Sequence, residues 1–558
     1  MSLRCMGRLM AVLALIVIEM ACGDYYRPVV IPLSTTLPTP SSQHTVFALT
    51  ANAPGNPGAG MQIDVSGDTD VGEAHIDLPT HAAVAPNQSR LFIASAGSLA
   101  PGGADKVLFL LPSSILGGGL TLINTISMPS GSLPDYVATT QSGFVYVANF
   151  GTNNVNAINT TTNQLGDPVP VGTNPVAMAE TPDTNKLYVA NQGGNSVTSL
   201  NTKDLSQNPV SGFSGITPVW VVARTDSQKV YILTQGDGQL VTIDTATDTV
   251  TSSLPVGGGA NFMSYDRHLN RLYVTNPMTA NVYVFSATGG PNDTPNPVPL
   301  AVFSLAAGAN SPCPAGCLPA SVAALPDGSR FYVASYQIAT TCPDPTVTGS
   351  CVIPQLTVFD AQSLTVKIAS VPLLSDSSFA AKQFAVPPVA SCVANTPYTP
   401  GTTRFRVFTT AAADSSRVYV SMCDAGAIAI INTTDSNVNN PVNGKPPDSL
   451  VLDLPAPVGA CVQPSCSNVS SITTFSITSN VVTFQAANSF SPGQRVSISG
   501  LSTGTYLNGH TLTVLATGLS GGQFACDFTH ADVGPTSDSG TAVPLGPAQA
   551  PVFLLTGQ

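Results

Sequence analysis

Few residues in this 558-residue chain are equipped for acid–base, nucleophilic or metal chemistry. It holds six histidines, and Asp, Glu, Lys and Arg together make up only 9% of it. His75 and His81 lie close in sequence, but Pro79 turns the chain between them and a shared metal is not expected. Asp266-Arg267-His268 reads as a polar turn. His510 and His530 have no cysteine pair beside them. No Gly-x-Ser-x-Gly elbow occurs. Gly117-Gly-Gly119 and Gly257-Gly-Gly259 neither open a helix nor precede Lys-Ser/Thr, so they read as turns rather than phosphate loops. In Pro182-Asp183 and Pro326-Asp327-Gly328 the carboxylate sits where Asp bonds its own backbone. The residue types therefore call for neither a metal nor a cofactor.

The cysteines carry the clearest chemistry. Beyond Cys5 and Cys22 there are nine, and eight fall at spacings that suit disulfides: Cys313–Cys317, Cys342–Cys351, Cys392–Cys423 and Cys461–Cys466. The first three would staple long excursions of the chain. Cys526 is left over. No Cys-x-x-Cys pair is present, which disfavours zinc.

Disulfides imply export, and the N-terminus agrees. Arg4 and Arg8 precede an apolar run, Leu9 to Ile18, that is too short for a bilayer, which needs about 20 residues, and suits a signal peptide. The run ends in Glu19-Met20-Ala21-Cys22-Gly23, which resembles a bacterial lipobox with Cys22 as the lipidated residue. Glu19 departs from the aliphatic residue usual there, and secretion with cleavage nearby is the alternative. Residues 1–22 are read as the signal and 23–43, rich in Pro, Ser and Thr, as a tether. The expected location is periplasmic or cell-surface, held to a membrane only through the lipid.

The elements that position the chemistry follow from composition and repeats. Scarce Lys, Glu and Arg leave long helices without their usual surface, while 43% hydrophobic residues support a real core. A formal charge of −12 with the basic residues scattered excludes a nucleic-acid surface. One pattern recurs: RLFIAS (Phe92), FVYVAN (Tyr146), KLYVAN (Tyr188), KVYILT (Tyr231), RLYVTN (Tyr273), RFYVAS (Tyr332) and RVYVSM (Tyr419), with TVFALTAN (Phe47) as an earlier copy. Spacings of 45, 54, 42, 43, 42, 59 and 87 give a base period in the low forties, that of a four-stranded propeller blade. The longer steps are insertions.

RLYVTN at 271–276, with LPDGSRFYVAS and PDTNKLYVANQGGNSV, resembles the YVTN-type β-propeller repeats of bacterial exported proteins, archaeal surface-layer proteins and lactonase-like propellers. The resemblance covers roughly 44–456 and the final segment. It implies a fold, and through its lactonase-like members an alternative activity.

The expected fold is thus an all-β propeller over 44–460, with eight blades by repeat count and seven as the alternative. Residues 44–78 supply a second, third and outer strand (Val46–Thr50, Met61–Val65, Ala74–Leu78) but no first strand. Pro551–Thr556 aligns with the first strands, so 547–558 would close the ring and remove two open sheet edges. Residues 467–546 read as an inserted small β-sandwich or barrel of five short strands.

Aligning the first strands places one residue per blade at the channel mouth: His81, Tyr136, Ala177, Trp220, Asn261, Ser321, Phe408 and Phe553. An aromatic–polar ring of this kind suits a protein, glycan or small-molecule ligand; alternatively the same residues simply fill the channel. The leading functional expectation is an exported binding or surface-interaction scaffold. The alternative is a lactonase-like hydrolase of a small cyclic ester, with His81 as base and Asn261 polarising the carbonyl.

Overall fold

The structure, a computed structural model, describes residues 45–556 apart from 52–57, 66–67, 86–88, 101, 113–119, 140–142, 344–348, 374–384, 387, 435–445, 457–468, 480, 491–494, 509–510, 516, 529 and 545–549. The signal, the tether, Cys22, Cys461, Cys466 and His510 lie outside the described residues, as does the side chain of His75.

Period-2 alternation with Tyr and Val at its centre produces strands throughout, and among the described residues there is no α-helix. Eight antiparallel sheets follow one another among those residues: sheet 1 (45–76 with 550–556), sheet 2 (79–127), sheet 3 (134–170), sheet 4 (175–209), sheet 5 (218–255), sheet 6 (262–304), sheet 7 (318–371) and sheet 8 (407–455). Each is a four-stranded meander, with the outer strand of sheet 3 split in two pieces. The inner strands touch one another in cyclic order from Pro79–Val84 round to Ala550–Thr556 and back. That cycle of meanders is a β-propeller. Ala550–Thr556 pairs antiparallel with Thr45–Ala51, so sheet 1 is assembled from both ends of the described chain. Its third and fourth strands run Gly58–Asp64 and Thr69–Ile76, starting three and five residues earlier than the sequence pattern places them.

The recurring aromatic of each second strand is buried between neighbouring sheets, from Phe47 and Phe92 through Tyr419. The basic residue two positions before it has a role that the pattern alone does not reveal. Lys186 Nζ donates to Asp248 and to the Thr245 carbonyl of the next sheet, both at 2.6 Å, while Tyr188 Oη donates to Asp248 at 2.5 Å. Arg330 and Tyr332 hold Asp448 and the Thr433 carbonyl in the same way. Arg90 reaches the Thr160 carbonyl, Arg271 reaches that of Ala361, and Arg417 pairs with Asp68 at 3.0 Å across the ring closure. In these five sheets the motif is a clasp to the next blade, whereas Lys229 pairs with Asp244 of its own sheet 5. Between sheets 3 and 4 it is replaced by apolar residues, Phe144 and Leu205, which line a cavity of about 430 Å³.

Three disulfides form as the spacings predict: Cys313–Cys317, Cys342–Cys351 and Cys392–Cys423. They point to an oxidising, extracytoplasmic compartment. Among the described residues no helix is long and apolar enough to cross a membrane.

Residues 470–544 form a separate six-stranded sheet. A bridge between Val514 and Cys526 joins its two edge strands, which closes it towards a barrel around Phe475, Phe484, Val496 and Phe524. Its longest strand, Val533–Pro544, is absent from the sequence reading, because VGPTSDSGTAVP has the composition of a loop.

Candidate functional site at the channel mouth

The inner strands begin alike, and that beginning builds the site. In sheets 2, 3, 4, 5 and 7 and in the closing strand, a β-bulge follows the starting proline. The extra residues are Thr80, Asp135, Val176, Val219, Ala320 and Val552. A bulge leaves its residue out of the ladder and re-aims the next side chain. Here it turns His81, Tyr136, Ala177, Trp220, Ser321 and Phe553 inward. Two of these accept from the next sheet's inner strand: Ser321 Oγ from the Thr409 amide at 2.9 Å, and His81 Nδ1 from the Val137 amide at 3.5 Å.

The aromatic members pack on one another. His81 stacks on Tyr136 at 3.7 Å between ring centres and touches Phe553 at 4.6 Å. Phe553 meets Phe408 at 4.9 Å, and Trp220 meets Phe262 at 4.9 Å and Tyr136 at 6.4 Å. Phe405 and Phe262 join the cluster and were missed by the alignment, because Phe405 precedes its strand and Phe262 is displaced by one residue. The ring residues therefore fill the channel.

Above them lies a strap, residues 388–406, which belongs to the excursion between sheets 7 and 8. Cys392–Cys423 ties one end down, and the bidentate pair of Arg406 with Asp424, at 2.6 and 2.7 Å, ties the other. Between them the strap reaches across the mouth. Tyr398 Oη donates to Asp135 Oδ1 at 2.8 Å, and the Tyr398 carbonyl accepts from Gln192 Nε2 at 2.8 Å. Arg404 donates to the carbonyls of the bulge residues Val176 at 3.0 Å and Val219 at 2.6 Å. Its guanidinium also lies 5.0 Å from the ring centres of both Trp220 and Tyr398. No repeat phase marks this segment, so the sequence signal for it is limited to the length of the insertion.

Two small cavities remain beneath the strap. One of about 30 Å³ is lined by His81, Trp220, Tyr398 and Arg404. The other, of about 90 Å³, is lined by Asn261, Gln235, Tyr336, Arg404 and Arg406. His81 and Asn261 thus face different cavities. Asn261 instead donates to the Ala320 carbonyl at 3.1 Å and accepts from Thr275 Oγ1 at 2.9 Å.

Burial sets the ionisation of the mouth. Burial, reinforced by the Arg404 charge, pushes the His81 imidazole down to about 3. Burial pushes Asp135 up to about 6, against the opposing pull of Arg404 and Tyr398. The two act oppositely on stability. The unfolded chain takes a proton on His81 near pH 6.5 that the folded site refuses, so stability from His81 is full above that pH and lost as pH falls toward 3. Asp135 prefers its proton when folded, so its contribution is present below pH 3.8 and lost as pH rises through about 6. The His81 shift is the larger. The stability difference between the wild type and His81→Phe should therefore grow by roughly 3 kcal/mol from pH 4 to pH 6.5. Urea midpoints measured across that range test it, and a pH-independent difference would contradict it.

Elsewhere the aspartate turn readings hold, while Gly117–Gly119 lies outside the described residues. Asp266 accepts from the amides of His268 and Leu269, Asp183 from Thr181 and Asn185, and Asp327 from Ser329. Among the described residues no cluster of three or more His, Cys, Asp or Glu is placed to hold a metal.

No protein-family model matches the chain, and no curated protein matches it. Solved structures do. The periplasmic gluconolactonase of Pseudomonas aeruginosa is 15% identical, with 58% of this chain and 94% of that one covered and a TM-score of 0.43. The hydrazine synthase of Kuenenia stuttgartiensis is 15% identical, covering 64% of this chain and 93% of that one with a TM-score of 0.40.

Proposed function

We propose that this chain is an exported propeller of the YVTN type, with eight blades over 44–460 and an inserted barrel over 467–546. We read it as a binding or surface-interaction scaffold anchored through Cys22. The observation that carries this reading is the filled and strapped channel. Lactone hydrolysis needs a base near neutrality, an electrophilic partner within reach of the same substrate atom, and room for that substrate. His81 is stacked between Tyr136 and Phe553, its imidazole is a very weak base, and Asn261 spends both polar ends on sheets 6 and 7. While the strap is closed, recognition falls to the loops, which a clasped ring holds as rigid neighbours. Binding at several loops at once would gain avidity, and the tether would give reach from the membrane.

Crosslinking on intact cells tests the reading. A reproducible protein or glycan partner attached through the loops or the 467–546 domain supports it, and recovery of lipid and cell wall alone opposes it. The purified soluble form should turn over no small lactone, and His81→Ala should leave that result unchanged. Turnover that disappears in His81→Ala would establish the hydrolase instead.

A further inference from the structure

The bulges do more than aim side chains, because the carbonyls of three bulge residues, Val176, Val219 and Ala320, accept from side chains. At the mouth, the carbonyls of Val176 and Val219 converge on one point beside the face of Trp220. Two more unpaired acceptors, Asp135 Oδ2 and Gln192 Oε1, are buried behind the strap, beside Tyr398 rather than in contact with Arg404; their sister atoms bond to the strap. Two carbonyls and an aromatic face make a pocket composed of acceptors. Its complement is a flat cation with several donors. The Val176 and Val219 carbonyls and Trp220 belong to sheets 4 and 5, whereas the group filling the pocket arrives on the strap between sheets 7 and 8, fastened at both ends.

We propose that the channel mouth is a guanidinium-binding site occupied in this chain by its own Arg404, and that the external ligand it takes once Arg404 is displaced is an alkylguanidinium such as an arginine side chain presented by a partner. The inference deepens the recognition reading by naming the ligand chemistry of the mouth. Arg404 is held in place by a strap fastened at both ends, so its effective concentration exceeds the roughly millimolar value of a flexibly linked group. External guanidinium therefore competes poorly in the wild type and well once Arg404 is shortened. Arg404 is a latch as well as a mimic.

Trp220 is the only tryptophan in the chain, so its fluorescence reports on this pocket alone. Arg404→Ala should shift the Trp220 emission, and ethylguanidinium titrated into the variant should reverse that shift saturably. Ethylammonium, which cannot span two carbonyls, should bind about 10-fold more weakly or worse. The wild type should not respond over the same range. A folded Arg404→Ala with no saturable response, or one that responds equally to ethylammonium, overturns the proposal. Arg404→Lys provides the test where the alanine variant does not fold. It should melt lower than the wild type and expose Trp220 to acrylamide, and identity with the wild type in both respects would show that the pocket reads charge rather than guanidinium shape. Rescue without any cell-surface partner would overturn only the recognition reading, and a partner without rescue would overturn only this inference.

Discussion

Truncation before Ala550 should abolish cooperative folding and send the protein into aggregates. The missing strand carries Val552 and Leu554, both buried, and Phe553, which packs on His81 and Phe408. Truncating a buried aliphatic or aromatic side chain costs about 2–5 kcal/mol each, so the sum rivals the whole stability of a typical domain, about 5–15 kcal/mol. Thr45–Ala51 would lose its partner at the same time, leaving an open edge in a chain built of edges. The closure has a second element. Arg417 donates to Asp68 at 3.0–3.2 Å, with both side chains buried, and this clasp joins sheet 8 to sheet 1. Gel filtration and thermal unfolding by circular dichroism test the expectation. A truncated chain that elutes and melts like the full one would contradict it.

Asp448→Ala should lower stability by about 3 kcal/mol, because it removes the fully buried partner of a largely buried ion pair. The carboxylate accepts from Arg330 and from Tyr332 Oη at 2.5 Å, and lies 3.1 Å from Lys367 Nζ. Its loss strands a guanidinium and a phenol between sheets 7 and 8. The molecule itself contains the apolar version of this junction, with Phe144 in the basic position and Leu205 in the carboxylate position between sheets 3 and 4. Accordingly Arg330→Phe combined with Asp448→Leu should recover much of what either change costs alone, a non-additivity expected of directly coupled residues. Urea unfolding of the two single variants and the double variant measures it. Costs below about 1 kcal/mol for Asp448→Ala, as for an exposed pair, would show that the clasp is incidental.

The repeat was legible in the sequence because the second strand places Tyr or Phe between sheets and Val on either side, and burial on both faces leaves little freedom of residue type. The disulfides were legible because Cys313 and Cys317, or Cys342 and Cys351, have few other ways to pair in an oxidising compartment. Closure could be read because Pro551–Thr556 repeats the start of the inner strands. The bulges could not be read, since Pro-x-x looks the same whether or not one residue leaves the ladder. That one residue decides whether a side chain faces the channel or the neighbouring blade. The strap leaves no such trace in the sequence: a segment that packs once, against several sheets, has no period. The ring positions of His81, Tyr136, Trp220, Ser321 and Phe408 were anticipated, but their packing was not, because whether an aromatic ring encloses a ligand or fills its own space depends on Arg404 and Tyr398, which are far away in sequence. Val533–Pro544 was lost for a simpler reason. Its exposed face carries Ser, Thr and Gly, and the pairing comes from neighbours on both sides.

The central claim is that the channel mouth is sealed from solvent by the strap, and Trp220 tests it directly. Acrylamide quenching of the native protein should be weak, since Trp220 is buried under Arg404 and Phe405, and it should rise severalfold in Arg404→Ala. Quenching in the wild type that is already as strong as in the variant would mean an open mouth, and would contradict the account.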